Sequence, residues 1–297
     1  MNSFSFNRFG KTLRWLISIN HLQLLGLFAG CAAAMFLMEI MMIQWGGFHD
    51  PWPFIVRVVD IIIPFVFLLL GIILSLSFSS FTSLGKKTQR STLLMLPASN
   101  LEKFLALVIY VTFICTLCAY SGMIIGDTLR MGVMWLFGDH HMAAFDVSGY
   151  DVCYWWSSIL PRLLHELTPN VINYPDYYQC SSLYVVMQFV TFVLFWMWAH
   201  SLFLFGGTLM RKYSFVVSGI VFVACIALFA YTLHTYHLEM FTMEYNGSYY
   251  DCKNIGVMPY VLAVVLPLLS VFNYWASFRI FKGMQLITNK WINYDIH

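Results

Sequence analysis

Six long apolar runs constrain this chain more than any other feature of its sequence. They cover residues 22–45, 54–78, 104–126, 182–206, 213–234 and 258–277. Because a helix needs roughly 20 mostly apolar residues to cross a bilayer, each run is long enough to span one. Of the 297 residues, 60% are hydrophobic and 10% are charged, whereas soluble domains average about 25% charged residues. The sequence therefore predicts an all-α integral membrane protein, with six transmembrane helices in one domain.

Lysine and arginine are spread unevenly over the two sides of these predicted spans. The side that holds both termini carries 12 of the 16 basic residues, and the other side carries 4. Since cytoplasmic flanks are enriched in Lys and Arg, both termini are predicted to be cytoplasmic. The net charge of +2 gives no reason to expect a nucleic-acid partner.

The segments outside the spans differ in character. Residues 1–21 are basic and amphipathic, which predicts a helix lying in the membrane interface. Two outer segments follow spans three and five, at residues 127–181 and 235–257, and the first is predicted to be partly helical. Cys153, Cys180 and Cys252 lie in these segments, so an oxidising compartment would let two of them pair. Three pairings are open, and Cys153–Cys180 is preferred because it would close the larger loop.

Five charged residues lie in or near the outer halves of the predicted spans. They are Glu39, Arg57, Asp60, Asp127 and Arg130. Charges inside a bilayer cost free energy, so such residues face the protein interior and find partners. One interpretation is a set of salt bridges between spans, and the other is a polar lining at the outer mouth of a translocation path.

The chain offers little that predicts chemistry of its own. Residues 83–88 lack the first glycine of a phosphate loop and the hydroxyl residue after its first lysine, so ATP hydrolysis by this chain is not expected. His140, His141, His234 and His237 are weak metal candidates, and packing histidines are the preferred interpretation. An alternative function remains, a membrane-embedded metal-dependent hydrolase or transferase with a His/Asp/Glu site on the outer face.

The longest inner loop, residues 79–103, connects spans two and three. Its last part, residues 90–103, we call the elbow. Ser99 and Glu102 have the spacing of a capping box, which marks a helix N-terminus. Together with Pro97, this predicts a short helix ending at Leu96, a break, and a new helix leading into span three.

The elbow also carries a resemblance to known proteins. The segment Leu94-Met-Leu-Pro-Ala-Ser-Asn-Leu-Glu-Lys-Phe104 resembles a stretch in six-span ABC-2 type permeases of Gram-negative bacteria, and Phe6-Asn-Arg-Phe-Gly10 resembles their entry segment. The resemblance implies an exporter subunit in the inner membrane, paired with a second permease subunit as a homo- or heterodimer. Separate ATPase subunits would bind ATP and magnesium, and this chain would hold no cofactor.

In such a complex, the 79–103 loop would be the coupling helix that docks on the ATPase. The resemblance carries this coupling role to eight residues: Arg90, Leu94, Leu96, Pro97, Ser99, Asn100, Glu102 and Lys103. A third alternative is a non-transporting membrane partner of an ATPase in signalling or resistance.

Overall fold

The computed structural model describes residues 4–46, 87–137, 178–210, 213–246 and 250–283. Most of these residues are helical. In chain order the elements are α1 (Phe6–Ile19), α2 (His21–Gly46), α3 (Lys87–Met95), α4 (Asn100–Ile109), a π-helical segment (Tyr110–Cys115), α5 (Thr116–Phe137), β1 (Tyr178–Gln179), α6 (Ser182–Leu209), α7 (Ser214–Thr235), β2 (Phe241–Tyr245), β3 (Tyr250–Ile255) and α8 (Val257–Gly283).

Five helical stretches are long and apolar enough to cross a membrane. They are His21–Met41, Asn100–Val133, Ser182–Leu209, Val216–Thr235 and Val257–Gly283. They confirm five of the predicted apolar spans as long helices and identify a multi-pass membrane protein. The predicted second span, residues 54–78, lies outside the described residues, as does the predicted helical stretch of the 127–181 segment beyond Phe137.

The third span is longer than predicted. Its helix begins at Asn100 and continues through the π-helical segment and α5 to Phe137, 11 residues past the predicted end at Gly126. The extension contains no proline, and the two charged residues near its start are buried in ion pairs. Those pairs lower the electrostatic cost of keeping charged residues in a membrane-spanning helix.

The chain forms two compact units. The first contains α1 as far as Ile17, α3, α4, the three strands and α6 to α8. Here α6 packs along α8, where Trp198, Ala199 and Leu266 form a buried cluster. Polar contacts join the same helices, since Asn273 donates to Ser201 Oγ (3.0 Å) and His200 Nδ1 lies 2.7 Å from Tyr274 Oη.

A small three-stranded sheet, which the sequence analysis did not predict, adjoins the start of α6. In it β3 is central, with β1 parallel on one side and β2 antiparallel on the other. Phe241 and Tyr178 pack with the buried Tyr184 at the start of α6. The sheet thereby holds the residues before α6 next to the residues before α8.

The disulfide corrects the preferred cysteine pairing. Cys180, just before α6, is bonded to Cys252 in β3, with 4.7 Å between their α-carbons. The preferred pair Cys153–Cys180 is therefore wrong, and Cys153 lies outside the described residues. The physical reason is the parallel pairing of β1 with β3, which brings two residues 72 positions apart to adjacent sites.

The second unit contains α2 and α5, which run side by side in the same direction. Cys118 Sγ donates to the Leu24 carbonyl (3.2 Å), and further along Arg130 pairs with Glu39. Between these points Gly122 and Gly126 face the backbone of α2. A Cβ at Gly126 would lie 2.5 Å from the Ala32 carbonyl oxygen, and one at Gly122 would overlap the Phe28 carbonyl oxygen. The two glycines therefore allow the helix backbones to approach closely.

Candidate functional site

The elbow has the break that the sequence predicts. Helix α3 ends at Met95, and a bend follows before Ser99, which caps α4 in an extended conformation (φ −68°, ψ 156°). The Glu102 backbone N–H donates to Ser99 Oγ (3.2 Å), and the Ser99 backbone N–H donates to Glu102 Oε2 (2.8 Å). These reciprocal bonds confirm the predicted capping box and fix where the third span begins.

Lys103 stabilises the end of α3, on the other side of the bend. Its ammonium group donates to the Leu94 carbonyl oxygen at 2.8 Å, and the side chain is buried. The last carbonyls of a helix have no partner within the helix, so a lysine that reaches them acts as a C-terminal cap. One turn of α4 therefore supplies both the cap of its own start and the cap of α3.

Glu102 also binds the N-terminal segment. Its carboxylate accepts from the Ser5 backbone N–H (2.7 Å) and from Arg8, whose Nη2 is 2.9 Å from Oε1 and whose Nε is 3.2 Å from Oε2. The Glu102 side chain is fully buried, whereas Arg8 is about 39% exposed. The hydrogen bond to Glu102 raises the pKa of Arg8 above its ordinary value, so the guanidinium stays charged.

Sequence reasoning named Glu102 but missed Ser5 and Arg8 as its partners. A usable signal was present, because Glu102 is one of very few acids among the many basic residues predicted on the cytoplasmic side. An acid in such surroundings pairs with a neighbouring base when it is buried. Nothing in the sequence spacing identified α1, about 94 positions away, as the source of that base.

Burial divides the eight elbow residues carried over from the resemblance. Glu102 and Lys103 are buried, so they stabilise the shape of the elbow, and Leu94, Leu96 and Ser99 are half-buried. Pro97 and Asn100 are exposed, and the side chain of Arg90 is outside the described part of the chain. Two exposed apolar neighbours were not predicted, Met95 (77% exposed) and Leu101 (44% exposed).

Aromatic packing ties the elbow to the end of α8. Phe104, the first residue after the elbow, is buried, and its ring centroid lies 5.4 Å from Phe278 and 5.6 Å from Phe281. Leu93, in the last turn of α3, is also fully buried. The elbow is therefore held from two sides, by α1 through Glu102 and by α8 through Phe104.

A second polar cluster lies in the other unit. Arg130 donates from Nε to Glu39 Oε2 (3.0 Å), and from Nε and Nη2 to Asp127 Oδ1 (3.2 and 2.6 Å). All three side chains are at most 1% exposed. The structure thus joins three of the five predicted outer-half charges, and Arg57 and Asp60 lie outside the described residues.

Two of the four predicted metal candidates lie in the part of the chain that the structure describes. The rings of His234 and His237 lie 6.5 Å apart between centroids, near the end of α7. In the part of the chain that the structure describes, no three His, Cys, Asp or Glu side chains gather into a group that could hold a metal ion. His140 and His141 fall outside that part.

No family model matches this chain, and no curated protein and no solved structure matches it.

Proposed function

We propose that this protein is the membrane-spanning permease subunit of an ATP-driven exporter in a bacterial inner membrane. It works with separate ATPase subunits and a second permease subunit, and the 79–103 loop is where an ATPase docks. The observation that carries the proposal is the elbow. It is a capped bend at the start of a membrane helix, and it combines exposed apolar residues with buried polar residues that hold its shape.

The construction of the elbow suits the transmission of force. Lys103 and the capping box hold the two sides of the bend at residues 96–98. A force applied to Met95 or Leu101 would therefore not be lost by bending there. The force passes instead to α1 through Glu102, to α8 through Phe104, and along the helix that α4 begins. A re-entry turn without coupling function would have no need of a fully buried carboxylate, because burying that charge costs desolvation energy.

The disulfide supports the proposed orientation. Helix α8 starts at the sheet, beside Cys252, and ends beside Phe104, the residue that follows the elbow. Its 27 residues rise roughly 40 Å, enough to cross a bilayer. Disulfides persist in oxidising compartments, so the sheet end is extracytoplasmic and the elbow end is cytoplasmic. The basic residues Lys103, Arg279 and Lys282 at the elbow end agree with this orientation.

The parallel packing of α2 and α5 supports a six-span topology. Two neighbouring membrane helices that run in the same direction require the chain between them to cross back. The return has to occur between Gly46 and Asn100, and residues 54–78 are the apolar run of sufficient length in that interval. Six crossings would put both termini on the same side of the membrane, and the distribution of basic residues favours the cytoplasmic side.

Co-purification from mild detergent tests the proposal directly. We expect tagged protein, expressed from its native source, to bring down an ATPase subunit. Met95→Glu and Leu101→Glu should reduce recovery of that subunit at least tenfold, because each buries a charge in an apolar contact. Tyr213→Asp is the matched control, since Tyr213 is 65% exposed between α6 and α7 at a positive φ that aspartate tolerates.

Two outcomes would count against the proposal. If the wild-type protein recovers no ATPase, the permease hypothesis fails. If the Met95 and Leu101 variants recover as much ATPase as the control, the elbow is not the docking surface. The non-transporting alternative predicts the same complex, but ATP would then leave the solvent accessibility of the spans unchanged.

A further inference from the structure

The ion cluster of α2 and α5 has more acid than base among the described residues. Glu39 is the one Asp, Glu, Lys or Arg in α2, and α5 holds only Asp127 and Arg130. Other titratable side chains of the two helices lie seven or more residues away along the chain, and these are His21, Cys31, Cys118 and Tyr120. The two carboxylates share one guanidinium, because both accept from Arg130 Nε.

The two carboxyl groups are not equivalent. Asp127 Oδ1 accepts two N–H groups of Arg130, at 3.2 and 2.6 Å. Hydrogen bonds from Arg130 therefore stabilise a negative charge on Asp127 more than one on Glu39. Glu39 accepts one through Oε2, and its Oε1 is buried without a hydrogen-bond partner in the described part of the chain. A buried carboxylate oxygen with no donor is costly, and a second carboxylate beside it adds repulsion.

We propose that this cluster is a proton-binding site, in which one proton resides on Oε1 of Glu39 while Asp127 remains the ionised partner of Arg130. Among the described side chains the charges then sum to zero, with one carboxylate, one guanidinium and one neutral carboxyl group. A neutral group keeps Oε2 available to accept from Arg130. Movement of α2 against α5 that admits water to Oε1 would ionise Glu39 and release one proton. This proposal does not depend on the exporter function.

Infrared difference spectroscopy of the purified protein tests the proton directly. A protonated carboxyl group has a carbonyl stretch that a carboxylate lacks, and this band shifts in heavy water. We expect the band in the wild-type protein at neutral pH and its loss in Glu39→Gln. Asp127→Asn should weaken the band, because the second carboxylate that disfavours ionisation of Glu39 is then gone. Glu102→Gln is the matched control and should keep the band, since Glu102 is equally buried but has its own donors.

Thermal stability then locates the proton on Glu39 and not on Asp127. Glu39→Gln imitates the neutral carboxyl group, so its melting temperature should stay close to that of the wild-type protein. Asp127→Asn removes the ionised partner of Arg130, so its melting temperature should fall. The reverse order would put the proton on Asp127 and overturn the assignment.

The wild-type protein also offers a test that needs no folded variant. Absence of the carbonyl band at neutral pH, together with a melting temperature that rises with added sodium chloride but not with choline chloride, would mean that the cluster takes a metal cation. That result, or a band that persists in Glu39→Gln, would overturn the proposal.

Discussion

At the scale of single residues, Glu102 combines two separable roles. One is local, because its side chain and that of Ser99 cap α4. The other is long-range, because Ser5 and Arg8 donate to the same carboxylate from a segment 94 to 97 positions away. Substitutions can separate these roles, since glutamine also satisfies the capping-box position but carries no charge for Arg8.

Glu102→Gln should release α1 while leaving the start of α4 intact. Loss of the ion pair removes a charge-assisted contact to the guanidinium of Arg8, so we expect faster amide exchange over residues 6–19 and unchanged exchange over residues 100–109. Ser99→Ala is the paired variant with the opposite pattern. It removes the cap, which costs about 1 kcal/mol, and should speed exchange in the first turn of α4 alone. Equal effects of both variants on α1 would contradict this separation.

At the scale of elements, local sequence signals predicted the elbow well and predicted the packing between distant segments poorly. The capping box, the proline break and the long apolar helices depend on neighbours in sequence. The first two appear where predicted, and five of the six predicted spans are long helices, of which the third is longer than predicted. The sheet depends on strands from distant segments, although Asn246-Gly247 between two short runs with aromatic residues was a usable hairpin signal. The sequence left three cysteine pairings open and favoured the wrong one for the same reason, because the pairing follows from the β1–β3 register.

Packing of α2 against α5 yields a prediction at the same scale. Gly122 and Gly126 have the spacing of a G-x-x-x-G motif, and a Cβ at either one would meet backbone oxygens of α2 that cannot give way. Gly122→Ala should therefore lower the free energy of unfolding in detergent by about 1–3 kcal/mol. Gly132→Ala in the same helix is the control, because a Cβ there meets nothing within 4 Å. The change at Gly132 should be neutral, or stabilising by about 0.5–1 kcal/mol.

These glycine effects are measured by denaturant titration followed by circular dichroism. If the Gly122 variant unfolds at the same denaturant concentration as the Gly132 variant, the close approach of α2 and α5 does not exist in solution. The ion cluster at Glu39 would then lose the packing that buries it.

At the scale of the whole molecule, two kinds of evidence bear on how the chain is oriented in the bilayer. The distribution of basic residues is a property of sequence and predicts cytoplasmic termini. The Cys180–Cys252 bond comes from folding, and it lies at the opposite end of α8 from the elbow. The two arguments are independent, and both favour the proposed orientation, with the elbow in the cytoplasm beside the proposed ATPase subunit.

Reporter fusions at the two ends of α8 test this orientation. Alkaline phosphatase is active only when exported, because its own disulfides need an oxidising compartment. Fused after Gly256, before α8, it should be active, and fused after Gly283, at the end of α8, it should be inactive. Green fluorescent protein at the same two sites should give the reverse pattern. The fusion sites differ by one membrane helix and share all preceding sequence, so expression and targeting are matched. Active phosphatase after Gly283 would place the elbow on the extracytoplasmic side, where no ATP is available. The proposed coupling to an ATPase would then be wrong.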